Sequence, residues 1–243
     1  MIALLKVEWL TTWRKWPVFI MAIGMPVGFY LFYSGMTMSP DPELQKQFVR
    51  HYLLTMTAFS MSSFGFFTFP YMLMEDRNNH WVQYLRHSKL GMGNYYLSKM
   101  IRVLIYFICS IVITFLVGIL YRGVEMSVSG WIGSVGLLLL SSLVFLAFGL
   151  LIAQITSEQV MAIVANLLFL SLAVIGGSWM PVETFPKWLQ AISKWTPTYH
   201  VNQLVLDWSD KGSFNTNSFL IILLDVLLLV GLTGLIKKRI EVR

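Results

Sequence analysis

The chain has 243 residues, of which 56% are hydrophobic and only 12% charged, and its mean hydropathy is +0.67. A soluble domain carries about a quarter charged residues, so the soluble classes are excluded and no nucleic-acid partner is expected. The apolar runs are continuous rather than alternating, which excludes a β-barrel. What remains is an all-α polytopic membrane protein with net charge +6 and one cysteine, Cys109, which permits no internal disulfide.

Residues 1–15 place Ile2, Leu5, Trp9 and Trp13 on one helical face, with Lys6, Glu8, Arg14 and Lys15 off it. This predicts an N-terminal interfacial helix on the cytoplasmic surface, or else the polar flank of the first span. Six runs are then long enough to cross about 30 Å of hydrocarbon: 16–36, 52–74, 101–121, 131–153, 160–179 and 217–236. The first follows a charged, Trp-rich lead without a small-residue cleavage pattern, so it is expected to be retained. It contains Gly24 and Gly28 at small-xxx-small spacing around Pro26, which allows close packing on another helix of the chain or on a second copy.

Lysine and arginine placement sets the orientation. With the N-terminus cytoplasmic, that side holds Lys6, Arg14, Lys15, Arg77, Arg86, Lys89, Lys99, Arg102, Lys237, Lys238, Arg239 and Arg243. The other side holds only Lys46, Arg50, Arg122, Lys187, Lys194 and Lys211. Both termini are therefore expected inside, in the cell membrane.

The connection 75–100 opens with Glu75, Asp76 and Arg77 and continues as a short amphipathic helix with Trp81, Tyr84 and Leu85 on one face, followed by Arg86 and Lys89. Gly91 and Gly93 are expected to end it. A short helix held between two spans is suited to receive a partner and move with those spans.

The stretch 176–200 begins at Gly176 and Gly177 and is broken by Pro181, Pro186 and Pro197. Between the last two prolines, Trp188, Leu189, Ile192 and Trp195 recur at helical spacing. Tryptophan favours the membrane–water boundary, so a broken, re-entrant extracellular helical element is expected here. Glu183 and Lys187 read as a local pair one turn apart. Asp225 lies within an apolar run, where an unpaired carboxylate costs a few kcal/mol. It either faces a partner, with Asn166 and Gln154 as candidates, or lies shallow enough to reach water.

No Gly-x-x-x-x-Gly-Lys-Ser/Thr phosphate loop, His-Glu-x-x-His motif or Gly-x-Ser-x-Gly elbow is present, so this chain is not expected to bind ATP through a P-loop or to be an enzyme. His51, His80, His87 and His200 fall on two sides of the membrane, and no metal site is expected. No internal repeat or second domain is evident, so residues 1–243 read as one transmembrane domain.

The whole pattern resembles the membrane permease subunit of type-2 ABC exporters, the ABC-2 type transporters. The specific pieces are Glu75 through Arg86 and Leu90, then Gly176, Gly177, Pro181, Phe185-Pro186, Trp188-Leu189 and Pro197-Thr198-Tyr199. The family shows a Leu-x-x-(Ser/Thr)-Pro-like run after the second span. Here Leu85 is followed by Arg86, His87, Ser88 and Lys89, with no proline. The resemblance implies two permeases, identical or paralogous, working with separate cytoplasmic ATPase subunits that hold ATP and Mg; this chain itself carries no cofactor. Glu75, Asp76, Arg77, Trp81, Tyr84, Leu85, Arg86 and Lys89 would couple to the ATPase. Gly176, Gly177, Pro181, Phe185, Pro186, Trp188, Pro197 and Tyr199 would form an extracellular gate. The implied substrates are drugs, antimicrobial peptides or lipid-like compounds, with glycans as the alternative, and the implied role is multidrug or antimicrobial resistance. The competing class is a receptor or immunity protein that binds an antimicrobial compound without moving it.

Overall fold

A computed structural model describes residue 12, residues 16–81, residue 84 and residues 92–241, with side chains to residue 236. Among these residues all regular structure is helical. The elements are α1 (Trp16–Ser34), α2 (Pro42–Ser63), α3 (Phe69–Asn78), α4 (Met92–Arg122), α5 (Val128–Ser141), α6 (Leu143–Ile152), α7 (Glu158–Ile175), α8 (Lys187–Ser193), α9 (Pro197–Lys211) and α10 (Thr216–Glu241). In hydrocarbon every backbone polar group must be satisfied within its own segment, which is why the apolar runs become helices.

Among the described residues five helices are long and apolar enough to cross a membrane: Trp16–Ser34, Met92–Arg122, Val128–Ile152, Glu158–Ile175 and Thr216–Ile236. The expected second span, 52–74, is helical throughout but is not among the five. The reason is its position. Every residue from Tyr52 to Ser63 is buried, so this helix is surrounded by protein and can carry hydroxyls that lower its hydropathy. Those hydroxyls fasten it. Thr57 shares a hydrogen bond of 2.9 Å with Thr114 of α4. Ser110 of α4 donates to Ser60 at 2.7 Å, and Ser60 donates to the Ala22 carbonyl of α1 at 2.9 Å. Helix contacts inside a membrane rely on such bonds and on close packing, because lipid tails are as apolar as the side chains.

The central helix is not regular. Phe64–Thr68 form a π-helical segment between α2 and α3. Pro70 has no N–H to return to Phe66, and the ladder widens just before it. The widened turn packs against α6 at two glycines. A Cβ on Gly65 would lie 2.6 Å from the Phe145 Cβ, and a Cβ on Gly149 would overlap the Gly65 carbonyl oxygen.

Several boundaries differ from the expected ones. Helix α2 starts at Pro42, set by the Asp41 side chain accepting from the Glu43 N–H at 2.9 Å. Gly93 lies inside α4 and does not end a preceding element. Helix α9 was not foreseen; Thr196 caps it, Pro197 occupies its first turn, and Gly212 ends it at φ +61°. Residues 1–15, apart from Thr12, and Leu85, Arg86, Lys89 and Gly91 lie outside the described residues.

The chain alternates between two ends of the bundle. Arg77, Lys99 and Glu158 mark one end, and Arg50, Arg122 and Asp210 the other.

Candidate functional site

At the Arg77 end, α3 leads directly out of the central helix. Asp76 receives Lys99 Nζ at 2.7 Å and the Tyr95 hydroxyl at 2.8 Å, which ties α3 to α4. Arg77 donates to the Ala153 and Ile155 carbonyls at 3.0 and 2.9 Å. These carbonyls lie at and just beyond the C-terminus of α6, where acceptors have no helical donor left. The Arg77 fork therefore locks α3 to α6, so displacing α3 must displace α4 and α6 as well. Trp81 and Tyr84 are exposed, at 39% and 70%.

Beside this lies a cavity of about 530 Å³ between α1, the π segment, α3, α4 and α7. Its walls are aromatic and apolar, chiefly Phe19, Phe64, Phe66, Phe67, Met72 and Met161, while Thr12, Glu75 and Arg102 give it polar ground. The Arg102 Nε donates to the Tyr106 hydroxyl at 2.6 Å, which in turn donates to Thr12 Oγ1 at 3.0 Å. The Tyr71 hydroxyl donates to Glu158 at 3.0 Å, joining α3 to the start of α7. A cavity of this size falls in the range of about 300–1,000 Å³ that holds drug-sized ligands. Composition gave no sign of it. The only cue in the sequence was the run Phe64, Phe66, Phe67, whose residues do not share one ordinary helical face.

At the Asp210 end, α7 stops at Ile175 and the chain reverses through Gly176 and Gly177, the latter at φ +79°. Such a φ is readily available only to glycine. A Cβ on Gly176 would come within 2.5 Å of the Thr198 Cβ, so the turn is pressed onto the start of α9. Asn202 holds the turn from α9, donating to the Gly176 carbonyl at 3.0 Å and to Ser178 Oγ at 3.3 Å. Gln190 of α8 donates to the Phe185 carbonyl at 2.8 Å. Pro186 precedes α8 as its N-cap residue. Trp188, Ile192 and Trp195 all point outward, Trp195 at 86% exposure. Glu183 falls in a separate 3-10 turn, with Pro186 between it and Lys187, and the expected pair of Glu183 with Lys187 is not formed. His200 bridges the Lys194 carbonyl at 2.9 Å and Ser218 at 3.2 Å. Burial pushes its pKa down, and the bond to Lys194 only partly offsets this.

Pro181 and Tyr199 line a polar cavity of about 380 Å³ between this turn, α2 and α9. Asp210 of α9 forms its anchor, accepting from Arg50 at 2.8 Å and Gln47 at 3.1 Å and meeting the His51 ring nitrogen at 2.8 Å. Burial alone would raise the Asp210 pKa, but His51, Arg50 and Gln47 outweigh it and hold the carboxyl below the usual aspartate range. The sequence reading missed this cluster, because its members are separated by about 160 residues.

Asp225 lies nine residues into α10, about 14 Å along its axis at 1.5 Å per residue. Its Oδ2 is buried without a hydrogen-bond partner. Asn166 is exposed on α7, and Gln154 donates to the Leu150 carbonyl, so neither pairs with it. Gly24 and Gly28 are exposed; among the described residues a Cβ on Gly28 would meet nothing within 4 Å, and one on Gly24 only Ile20 of its own helix, at 3.9 Å. Among the described residues no group of three metal-ligating side chains converges.

An all-helical bundle with five membrane-length helices among the described residues defines a multi-pass membrane protein. More specifically, the chain belongs to the ABC-2 type transporter family, whose model matches residues 1–207. It is also 30% identical over 217 residues to "Putative transport permease YvfS" of Bacillus subtilis (strain 168), covering 89% of this chain and 88% of that protein.

Proposed function

We propose that this chain is the permease subunit of an ATP-driven exporter and moves a small or amphipathic compound outward through the bilayer. The observation that carries the reading is the cavity of about 530 Å³ at the Arg77 end, apolar in its walls and polar at Glu75, Arg102 and Thr12. A pocket with that division suits a molecule with one apolar and one polar end. A drug, an antimicrobial peptide segment or a lipid-like compound has this character, and resistance to such compounds is the proposed physiological role.

In this reading 52–74 is a sixth, protein-shielded span, both termini are cytoplasmic, and the membrane is the cell membrane. The gathering of Arg77, Lys99 and Arg102 at one end agrees with the positive-inside bias. ATP and Mg belong to a separate cytoplasmic ATPase, as membership of the family implies in general. The partner meets the exposed Trp81 and Tyr84, together with Leu85, Arg86 and Lys89, and its motion reaches the bundle through Asp76 and Arg77. The stretch 176–200 re-enters the outer leaflet and serves as the gate, with Trp188 and Trp195 in the interface. Two permeases face each other, and the open Gly24–Gly28 face of α1 is where a second copy or a paralogue packs.

The test is reconstitution of the chain with a candidate ABC ATPase subunit that copurifies with it, into vesicles loaded with ATP and Mg. ATP-dependent movement of a fluorescent amphipathic compound, lost when the cavity is narrowed by Ala165→Phe, is the expected result. A chain that copurifies with no ATPase and binds the compound without moving it overturns the proposal in favour of a receptor.

A further inference from the structure

The polar cavity at the Asp210 end holds more hydrogen-bonding capacity than the fold uses. Its walls come from α2, from the turn after α7 and from α9. Part of the lining is structural. Asp210 is taken by Arg50, His51 and Gln47, and Asp207 by Lys211 at 3.1 Å and Asn215 at 2.6 Å. The rest is unengaged. Among the described residues, the Glu183 carboxylate, the Tyr199 hydroxyl and the Gln203 amide belong to the lining and make no side-chain hydrogen bond.

Asn202 makes the deficit specific. The residue is only 5% exposed. Its Nδ2 donates to the Gly176 carbonyl and to Ser178 Oγ, which fixes the direction of the amide, because the reverse would set two oxygens against each other. The Oδ1 held in this way is buried and meets no donor among the described residues. A buried acceptor in that state costs about 1–3 kcal/mol. Asn202 lines the cavity, and a molecule seated there brings the missing donor.

Charge selects the kind of donor. Glu183, Asp207 and Asp210 line the cavity, and no lysine or arginine does. The pKa of the Tyr199 hydroxyl is raised, first by burial and then by the charges of Glu183 and Asp207, so both carboxylates act on one part of the wall. Lys211 and Arg50 offset Asp207 and Asp210, whereas Glu183 forms no ion pair among the described residues. The volume of about 380 Å³ falls in the range of about 300–1,000 Å³ that holds small molecules. A primary ammonium supplies several N–H donors and the positive charge that Glu183 lacks.

We infer that this cavity binds a primary ammonium group carried by a small molecule, with Asn202 Oδ1 and the Glu183 carboxylate among its acceptors. The bound amine joins the turn after α7 to α9. Its binding is measured on the chain without an ATPase, so the site stands or falls separately from export.

The full chain, purified in a maltoside detergent, is titrated with 4-aminobutan-1-ol and followed by saturation-transfer NMR, with butane-1,4-diol as the neutral isostere. The amine is expected to bind and the diol to bind at least about tenfold more weakly. Glu183 is exposed on its 3-10 turn, so Glu183→Gln should keep the melting temperature and weaken the amine about tenfold. Asn202→Ala and Asn202→Asp both give up the Nδ2 bonds, but only the aspartate keeps an acceptor. Asn202→Ala should therefore lose the amine and Asn202→Asp retain it, at similarly lowered melting temperatures. Glu183→Gln carries the test by itself if the Asn202 variants do not fold. Equal affinity for the diol, no binding of the amine, or wild-type affinity in Glu183→Gln overturns the inference.

Discussion

Arg50 of α2 and Asp210 of α9 are 160 positions apart in the chain and 2.8 Å apart in space. With His51 and Gln47 on the same carboxylate, they fasten α9 to α2 just before its buried stretch. Folding lowers the proton affinity of Asp210. Its stabilising contribution is therefore complete above the ordinary aspartate range and is lost as pH falls through the lower folded value. Asp210→Asn is expected to lower stability by about 1–2 kcal/mol at neutral pH and to flatten the acid limb of a melting-temperature profile. An unchanged acid limb would remove Asp210 from this role.

The Gly65–Gly149 approach tests the packing of the π segment. Gly65→Ala and Gly149→Ala force backbone apart and should each cost about 1–3 kcal/mol, read as lost thermal stability. Gly28→Ala meets nothing among the described residues and should leave the isolated subunit unchanged. If a second copy packs on that face, crosslinking between copies falls instead.

Arg77→Lys keeps the charge and loses the fork that reaches two carbonyls. A loss of about 1 kcal/mol is expected, together with weaker stimulation of the partner's ATPase by substrate. Normal stimulation would show that coupling bypasses α3.

Gly177→Ala places a Cβ in a left-handed conformation and within 2.5 Å of Val182. The expected cost is about 1–2 kcal/mol, with slowed transport in the vesicle assay. The double replacement Gly176→Leu/Gly177→Leu should abolish transport while insertion persists. Full transport by the double variant would exclude the turn from gating.

Asp225→Leu removes a carboxylate that has no partner on Oδ2. Insertion should improve by about 2–3 kcal/mol, visible as a higher melting temperature. Lost transport in that stabilised variant would assign the carboxylate a functional role, and wild-type transport would deny it one.

Much of the architecture was legible because its signals are local. Apolar runs of about 20 residues mark spans whatever their neighbours, and Trp188, Ile192 and Trp195, at helical spacing, lie exposed. The start of α9 was also written locally, in Thr196 and Pro197 ahead of Val201, Leu204 and Val205, but the reading stopped at the last proline. Glu183 and Lys187 misled because spacing implies a helix turn only where no proline interrupts it.

The sequence by itself determined the class, because the cost of exposing backbone polar groups to hydrocarbon allows such runs only one structure. It also carried the family resemblance and the charge bias. Tertiary structure alone decided which polar groups meet. Thr57 and Thr114, Arg77 and the Ala153 carbonyl, and Asp210 and Arg50 are distant in the chain, and each pairing depends on how helices cross. It also decided that the helix at 52–74 is shielded by protein, which its hydroxyls permit but do not dictate. Likewise, only the folded turn after α7 brings Trp179 and Phe185 to a small cavity that Phe29, Tyr33 and Tyr52 also line.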